Sequence, residues 1–295
     1  MIDSRCGLHC AGCSWKGSHG CGECVETNGH PFHGQCPIAA CCQEKGYAHC
    51  GECDRIPCDK LYAYSYLDPE HGDKPQGARV EQCRRWAAES GIHKWENVLL
   101  TDSAFYMPND RFGLDQPLTK IIDRFAKMVG KPFADVKVLF ISAAVQNDSD
   151  AKSAVIFRAE LSLLGIPQEN HTVYDVDGTL SLEQAMRHDV IFFTGGDRRH
   201  LMRRIKETGF DAIIKKMVYS NKVYVGVSAG SGIAGADITN TCEKETAGLC
   251  LINAFISCHN PEGSIVRTDS SLPHIFLSEG QALAVSWRGY ELIEK

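Results

Sequence analysis

The sequence predicts an α/β protein in which a doubly wound, mostly parallel sheet follows a small cysteine-rich, metal-binding domain. Twelve of the 15 cysteines lie between Cys6 and Cys83. Long apolar runs begin only after about residue 97, and segments with helical periodicity separate them. We therefore expect two domains, residues 1–96 and 97–295, with their boundary between Trp86 and Asn97.

The composition excludes several classes of partner. The chain has 295 residues and a net charge of -6, with no basic stripe that could follow a phosphate backbone, so nucleic acid is not expected. The segment MIDSRCGLHC is too polar for a signal peptide, and no apolar stretch is long enough to cross a bilayer. We expect a cytoplasmic protein with no membrane partner, and a homo-oligomer is compatible with the sequence.

The first half carries pairs of cysteines that are typical of metal sites. Such C-x-x-C pairs place two thiolates on one tight turn, close enough to share a metal ion. Three pairs occur, and a further cysteine follows the last: Cys10 and Cys13, Cys21 and Cys24, Cys50 and Cys53, then Cys58. Without a secretion signal, metal binding is favoured over disulfides.

Zinc is the favoured metal, because two C-x-x-C pairs separated by a short spacer resemble a zinc ribbon. The spacing Cys6-x-x-x-Cys10-x-x-Cys13 also suits a four-iron cluster in radical enzymes, but no barrel of repeating strands and helices follows it. The expected ligands form one site from the first two pairs and a second from the third pair, Cys58 and one more cysteine: Cys10, Cys13, Cys21 and Cys24; Cys50, Cys53, Cys58 and one of Cys36, Cys41 or Cys42. Residues 1–96 resemble a widespread cysteine-rich domain of unknown function, which implies metal binding.

Strands and helices alternate in the second half. The runs VKVLFI, VIFF and VYVGV at 136–141, 190–193 and 223–227 predict strands that are covered on both faces. A helical pattern from Ala154 stops at Gly165, a capping box opens another helix at Ser181, and a third helix follows Asp197 and ends at Gly209. This alternation predicts a parallel sheet with helices on both sides.

Each of these strands ends in small or polar residues. The three tips are SAAVQN at 142–147, TGGD at 194–197 and SAG at 228–230. Ligands bind in such sheets at the carboxyl ends of the strands. We expect the three tips to meet at one rim.

The tip that follows the third strand matches a nucleophile elbow. GVSAG at 226–230 fits G-x-S-x-G, in which a strained turn exposes the hydroxyl of Ser228. The backbone N–H groups of Gly196 and Ala229 are candidates for an oxyanion hole. A serine also needs a base, and only His259 and His274 follow it in the chain; His259 ends an apolar run and is preferred.

The motifs FTGGD and GVSAG, the strand that ends at His259 and the opening VLLTDS at 98–103 together resemble the dipeptidase E and cyanophycinase family of serine peptidases. The resemblance covers about residues 97–295. It implies a sheet related to class I glutamine amidotransferases, Ser228 as nucleophile, His259 as base, and small or acidic peptides as substrates. The resemblance places Asp197 among the substrate contacts, but this chain departs from the family there: it has Thr194 and Asp197 where the family often has a third glycine and an asparagine.

The resemblance leaves the third member of the triad open. An acid between Ser228 and His259 should orient the histidine; Asp237, Glu243 and Glu245 qualify, and Glu243 is preferred. Arg267 is the cation best placed in sequence to bind a substrate carboxylate, but specificity for aspartyl peptides does not carry over. The leading hypothesis is a serine hydrolase of small peptides, and the alternative is a scaffold without turnover whose cysteine-rich domain binds a metal or a partner.

Overall fold

The computed structural model describes residues 2–107, 116–239, 241–260 and 272–295 and the backbone of 266–267. The chain divides into two compact units, Met1–Lys94 and Trp95–Lys295, called here the first and second units. Among the helices of these described segments, none combines the length and the apolar character needed to cross a membrane.

The first unit consists of short helices joined by turns. Pro37 begins the second helix, where its missing N–H costs no hydrogen bond, and Gly77 precedes the fourth with a φ of 84°. The helices are α1 (Ser14–Ser18), α2 (Pro37–Glu44), α3 (Asp59–Tyr62) and α4 (Ala78–Glu89). Leu61 of α3 and Val80 and Cys83 of α4 are fully buried, so these two helices supply part of the core of this unit.

The second unit is built from strands and helices that alternate along the chain. Its strands are β1 (Val98–Thr101), β2 (Tyr106–Met107), β3 (Gln116–Pro117), β4 (Val138–Ile141), β5 (His171–Tyr174), β6 (Val190–Phe193), β7 (Val223–Val227), β8 (Phe255–Ser257), β9 (Val266–Arg267), β10 (His274–Phe276), β11 (Ala282–Ser286) and β12 (Gly289–Ile293). Its helices are α5 (Thr119–Val129), α6 (Asp148–Leu163), α7 (Leu182–Met186), α8 (Arg198–Thr208), α9 (Phe210–Tyr219) and α10 (Ala229–Gly232).

Seven strands form the main sheet, in the order β12-β11-β1-β7-β6-β4-β5. The five strands from β1 to β5 in that order are parallel, whereas β11 and β12 are antiparallel. A separate three-stranded sheet has the order β8-β10-β9. The predicted α/β fold with a mostly parallel sheet is confirmed.

Both faces of the main sheet are buried, which explains why its strands are continuous apolar runs. Phe193 and Tyr224 pack on one face, and Phe192 and Val225 pack on the other. Each fully buried Phe contributes roughly 1.5–3 kcal/mol to the free energy of unfolding. Alternate residues of β6 and β7 therefore hold both helical layers against the sheet.

Local signals in the sequence determine where these helices begin and end. Ser181 and Gln184 form the expected capping box of α7, and Gly209, at a φ of 69°, ends α8. The strand predicted over 136–141 begins at Val138, because Val136 still caps a preceding turn of 3₁₀ helix.

Register brings the ends of the central strands level with one another. Thr101 of β1 pairs with Val227 of β7, and Gly226 of β7 pairs with Phe193 of β6. The residues that follow these three strands therefore lie at one rim of the sheet.

Candidate active site

Ser228 occupies a strained turn between β7 and α10. Its φ of 50° and ψ of -102° are unusual for a residue with a side chain, and its N–H donates to the Thr101 carbonyl of β1 at 3.1 Å. Ser228 is partly exposed, although the residues on both sides of it are buried. The turn therefore presents the hydroxyl at the rim, as a nucleophile elbow does.

His259 reaches the same point from the smaller sheet. It lies two residues after β8, and the bond from Leu277 N to Ser257 O at 2.7 Å extends the pairing of β8 with β10 towards it. The Oγ atom of Ser228 lies 2.8 Å from Nε2 of His259. This distance suits a hydrogen bond from the hydroxyl to the ring.

The carboxylate beside His259 belongs to Asp102, which follows β1. One oxygen of Asp102 lies 3.3 Å from Nδ1 of His259, and the other accepts the backbone N–H of His259. Asp102 is 1% exposed and His259 is 65% exposed, so the acid is buried beneath the ring. The arrangement favours the proton on Nδ1, which leaves Nε2 to accept from Ser228.

The loop after Asp102 is held in place by buried groups. The hydroxyl of Thr101 accepts the N–H of Ala104 at 3.1 Å, and a carboxylate oxygen of Glu160 in α6 accepts the N–H of Phe105 at 2.9 Å. Burial of Glu160 raises its pKa to about 8. These contacts fix the backbone on the C-terminal side of Asp102.

The pKa values of the pair shift in opposite directions. The hydrogen bond to Asp102 raises the pKa of His259 and outweighs the effect of burial. Burial is the largest influence on Asp102 and favours its neutral form, but hydrogen bonds from the ring and backbone of His259 and from Ser103 together lower its pKa. The pair therefore favours a carboxylate beside an imidazole that binds a proton readily.

The glycine tip after β6 lies against the serine. A Cβ atom on Gly195 would lie 3.8 Å from Oγ of Ser228, and one on Gly196 would collide with the Ala144 carbonyl at 2.2 Å. Gly196 has a φ of 131°, which only glycine adopts readily. Ala229 is the first residue of α10, where N–H groups have no partner within the helix. The tip and the start of α10 thus flank Ser228, as the sequence indicated.

The expected acid, Glu243, does not lie beside His259. Its side chain caps a short 3₁₀ turn, Lys244–Thr246, in an exposed loop. Asp237 is fully buried and accepts the N–H groups of Thr239 at 2.7 Å and Thr241 at 3.2 Å. Glu245, the third candidate, lies within the same exposed turn as Lys244. Asp102 therefore stands in the place that the sequence analysis gave to Glu243.

The other expected contacts have varied surroundings. Asp197 caps α8, and its carboxylate accepts the N–H groups of Arg199 at 2.8 Å and His200 at 3.0 Å. The backbone of Arg267 pairs with His274, but its side chain lies outside the described residues. His274, the other candidate base, contacts Ser257 Oγ at 2.9 Å through Nε2. Asp197 and His274 thus have structural partners.

Sequence reasoning missed Asp102 because it sought the acid between the serine and the histidine. Asp102 precedes Ser228 by more than a hundred residues. The available signal was a carboxylate placed directly after an apolar strand, in the segment VLLTDS. Because β1 pairs with β7, Asp102, which follows β1, lies close to Ser228, which follows β7.

Eleven of the twelve cysteines of the first unit, all except Cys83, line two cavities. The large cavity, about 640 Å³, contains on its wall all four cysteines of the first expected site and two others: Cys6, Cys10, Cys13, Cys21, Cys24 and Cys36. The small cavity, about 20 Å³, is lined by the remaining expected ligands and Cys42: Cys41, Cys42, Cys50, Cys53 and Cys58. Cys36 therefore lies with the first group, whereas Cys41 and Cys42 lie with the second.

The thiols do not converge on single points. Within the described part of the chain, no three His, Cys, Asp or Glu side chains are gathered as ligands of one metal ion. In the small cavity, the Sγ atoms of Cys42 and Cys50 are 3.6 Å apart. Two thiolates on one tetrahedral zinc lie about 3.8 Å apart, given Zn–S bonds of about 2.3 Å. Thiolate is a donor that suits zinc, and the pair Cys42 and Cys50 has the spacing of two of its ligands.

Comparison with known proteins identifies relatives of both units. A family model for a protein of unknown function, DUF3795, matches residues 2–63. Two uncharacterized peptidases, from Listeria monocytogenes and Listeria innocua, are each 36% identical over 52 residues. That match covers 18% of this chain and only 25% of each relative.

Solved structures give a distant likeness. A structure assigned to peptidase E from Listeria monocytogenes EGD-e has a TM-score of 0.49 and 19% identity, covering 68% of this chain and 99% of its own. A peptidase from an acI-B1 actinobacterium has a TM-score of 0.45 and 16% identity, covering 69% and 89%.

The family match carries the identification. The model for peptidase family S51 matches residues 107–293, which include Ser228 and His259 and begin five residues after Asp102. That segment is more than half of the chain. The protein therefore belongs to peptidase family S51.

Proposed function

We propose that the second unit is a serine peptidase in which Ser228, His259 and Asp102 act together. The observation that carries the proposal is the continuous contact from Ser228 Oγ to His259 Nε2 at 2.8 Å and from His259 Nδ1 to Asp102 at 3.3 Å. Side chains in this order are what serine peptidases use to activate a hydroxyl.

In the proposed reaction, Oγ of Ser228 bonds to the carbonyl carbon of a peptide while its proton passes to Nε2 of His259. His259 then donates that proton to the leaving amine as the C–N bond breaks, which leaves an acyl-enzyme. A water molecule then gives a proton to the same nitrogen and bonds to the acyl carbon. The bond from that carbon to Oγ breaks, Oγ takes the proton back from His259, and the acid is released. Asp102 contacts no substrate and serves as a positioning residue that stabilises the imidazolium.

The N–H groups of Gly196 and Ala229 are proposed to stabilise the oxyanion. Both groups lie on segments that flank Ser228. Gly196 has a backbone φ that favours glycine, and Ala229 is the first residue of α10. The proposed substrates are small peptides, cleaved by exopeptidase action. This part of the proposal rests on the resemblance to dipeptidase E.

Labelling with a fluorophosphonate tests the proposal. The probe should bond to Oγ of Ser228 in the full chain with a yield near one per molecule, since only an activated serine reacts readily. Ser228→Ala should abolish labelling, whereas replacement of Ser153, a partly exposed serine of α6, by alanine (Ser153→Ala) should leave it unchanged. A folded wild-type chain that remains unlabelled would support the scaffold without turnover instead.

The rate of this labelling should depend on pH through His259. A protonated ring cannot accept the serine proton, and Asp102 raises the pKa of His259 above the ordinary value of 6.5. The rate constant should therefore fall as pH decreases, with its midpoint above pH 6.5. Measurements over about pH 5–8, corrected for hydrolysis of the probe alone, check this. A flat profile, or a midpoint at or below the ordinary value, would contradict it.

We also propose that the small cavity of the first unit holds one zinc ion. Four of its five thiols, with Cys42 and Cys50 in contact, would bind the ion. A zinc ion held by four thiolates supplies folding free energy and leaves no open position for chemistry. The ion is therefore proposed to stabilise the first unit.

A further inference from the structure

The large cavity of the first unit differs from a site for a single ion in its size. It measures about 640 Å³, whereas the small cavity measures about 20 Å³. A single water molecule needs roughly 10–15 Å³ of cavity volume on this measure, so the large cavity has far more room than one ion needs. Its six thiols lie around that space.

The cysteine spacing on this wall favours a cluster. Cys6-x-x-x-Cys10-x-x-Cys13 places three thiols within eight residues. A 3₁₀ turn, Cys10–Gly12, holds the last two together, and the N–H of Cys13 donates to the Cys10 carbonyl at 3.0 Å. Iron–sulfur clusters are held by cysteine thiolates that such short spacings supply.

A fourth thiol faces the same space with backbone support. Cys24 is buried, and its Sγ atom accepts the N–H of Arg5 at 3.3 Å. Cys6 and Cys10 line the same cavity as Cys24. N–H donation to sulfur stabilises the negative charge of a ligated cluster.

The rest of the wall carries both cations and acids, among them Lys16, Arg79, Glu23 and Glu70. The positive charge of Arg79 acts on Cys6, and Arg79 is held by an ion pair with Asp73 at 2.8 Å. The rings of Trp15 and Phe32 lie 5.0 Å apart at the edge of the cavity. The guanidinium and the two rings thus lie on the wall beside the thiols.

We propose that the large cavity binds a four-iron, four-sulfide cluster, with Cys6, Cys10, Cys13 and Cys24 as its ligands. The assignment replaces zinc at one of the two expected sites and does not depend on the proposed peptidase activity. The group would occupy the space that six thiols enclose without requiring them to meet at one point.

Anaerobic purification of the full chain tests the assignment. We expect a brown protein with visible charge-transfer absorption, about four iron and four acid-labile sulfide per chain, and about one zinc for the small cavity. Cys10→Ser with Cys13→Ser should remove the iron and the colour. Cys242→Ser, which changes a cysteine of the second unit, should retain both.

Labelling of Ser228 in each variant shows whether the second unit remains folded, so loss of the cluster and loss of peptidase competence are separate results. If the double variant does not accumulate, metal-free wild-type protein is incubated under anaerobic conditions with ferric iron, sulfide and a dithiol that reduces part of the iron. Growth of the same absorption supports the assignment. A colourless protein that contains zinc without iron, before and after this treatment, overturns it.

Discussion

Asp102→Asn is expected to lower the rate constant for acylation of Ser228 by about 10⁴-fold, the loss typical of this change in a serine triad. Asparagine has the same shape and can still accept the backbone N–H of His259 through Oδ1. Its amide, however, would face Nδ1 of His259, which favours the tautomer with the proton on Nε2. That nitrogen could no longer accept the proton of Ser228.

The rate constant for fluorophosphonate labelling measures this effect directly. Glu243→Gln is the matched control, because Glu243 caps an exposed turn, and it should change the rate constant by less than about twofold. Circular dichroism should show the same fold for both variants. If Glu243→Gln lowered the rate constant strongly and Asp102→Asn lowered it only slightly, the triad acid would be Glu243, as the sequence favoured.

Gly230→Ala should disrupt both the packing and the chemistry of the elbow. A Cβ atom there would lie 2.6 Å from Cβ of Phe193 and 2.7 Å from its carbonyl oxygen. Phe193 is fully buried in β6 and cannot yield easily. We expect the free energy of unfolding to fall by about 3 kcal/mol, at the upper end for overpacking. Displacement of α10 by about 1 Å should reduce labelling of Ser228 by about 100-fold.

The control for this change lies in the same helix. A Cβ atom on Gly232 would meet the side chain of Arg198 at 3.3 Å, and that flexible chain can move aside. Gly232→Ala should therefore alter the free energy of unfolding by less than about 1 kcal/mol. Chemical denaturation of both variants gives the comparison. Equal stability of the two would show that β6 accommodates the added methyl group.

The sheet could be predicted because its central strands are visible in the sequence as apolar runs. Phe192 and Phe193 are both buried, on opposite faces, so β6 appears in the sequence as an unbroken apolar run. Ser181 with Gln184, and Gly209, marked helix ends through short-range hydrogen bonds and backbone conformation. Such signals act within a few residues, and they survive in a single sequence.

Other features depend on contacts that no local pattern records. The acid beside His259 becomes visible only when β1 is placed next to β7, and His259 itself depends on the pairing of β8 with β10. The division of the cysteines between two cavities likewise depends on how the turns of the first unit fold back. Cys36 and Cys41 are close in sequence, yet they line different cavities.

The position of β1 between β7 and β11 has a consequence for the order in which the chain is made. Asp102 is synthesised first, and Ser228 and His259 follow. β11, and Gln281 just before it, whose carbonyl accepts the N–H of Asp102, are synthesised later still. Until β11 pairs with it, β1, the strand that precedes Asp102, has one unpaired edge. In a growing chain, β1 therefore gains its second neighbouring strand only after Ser228 and His259 have been made.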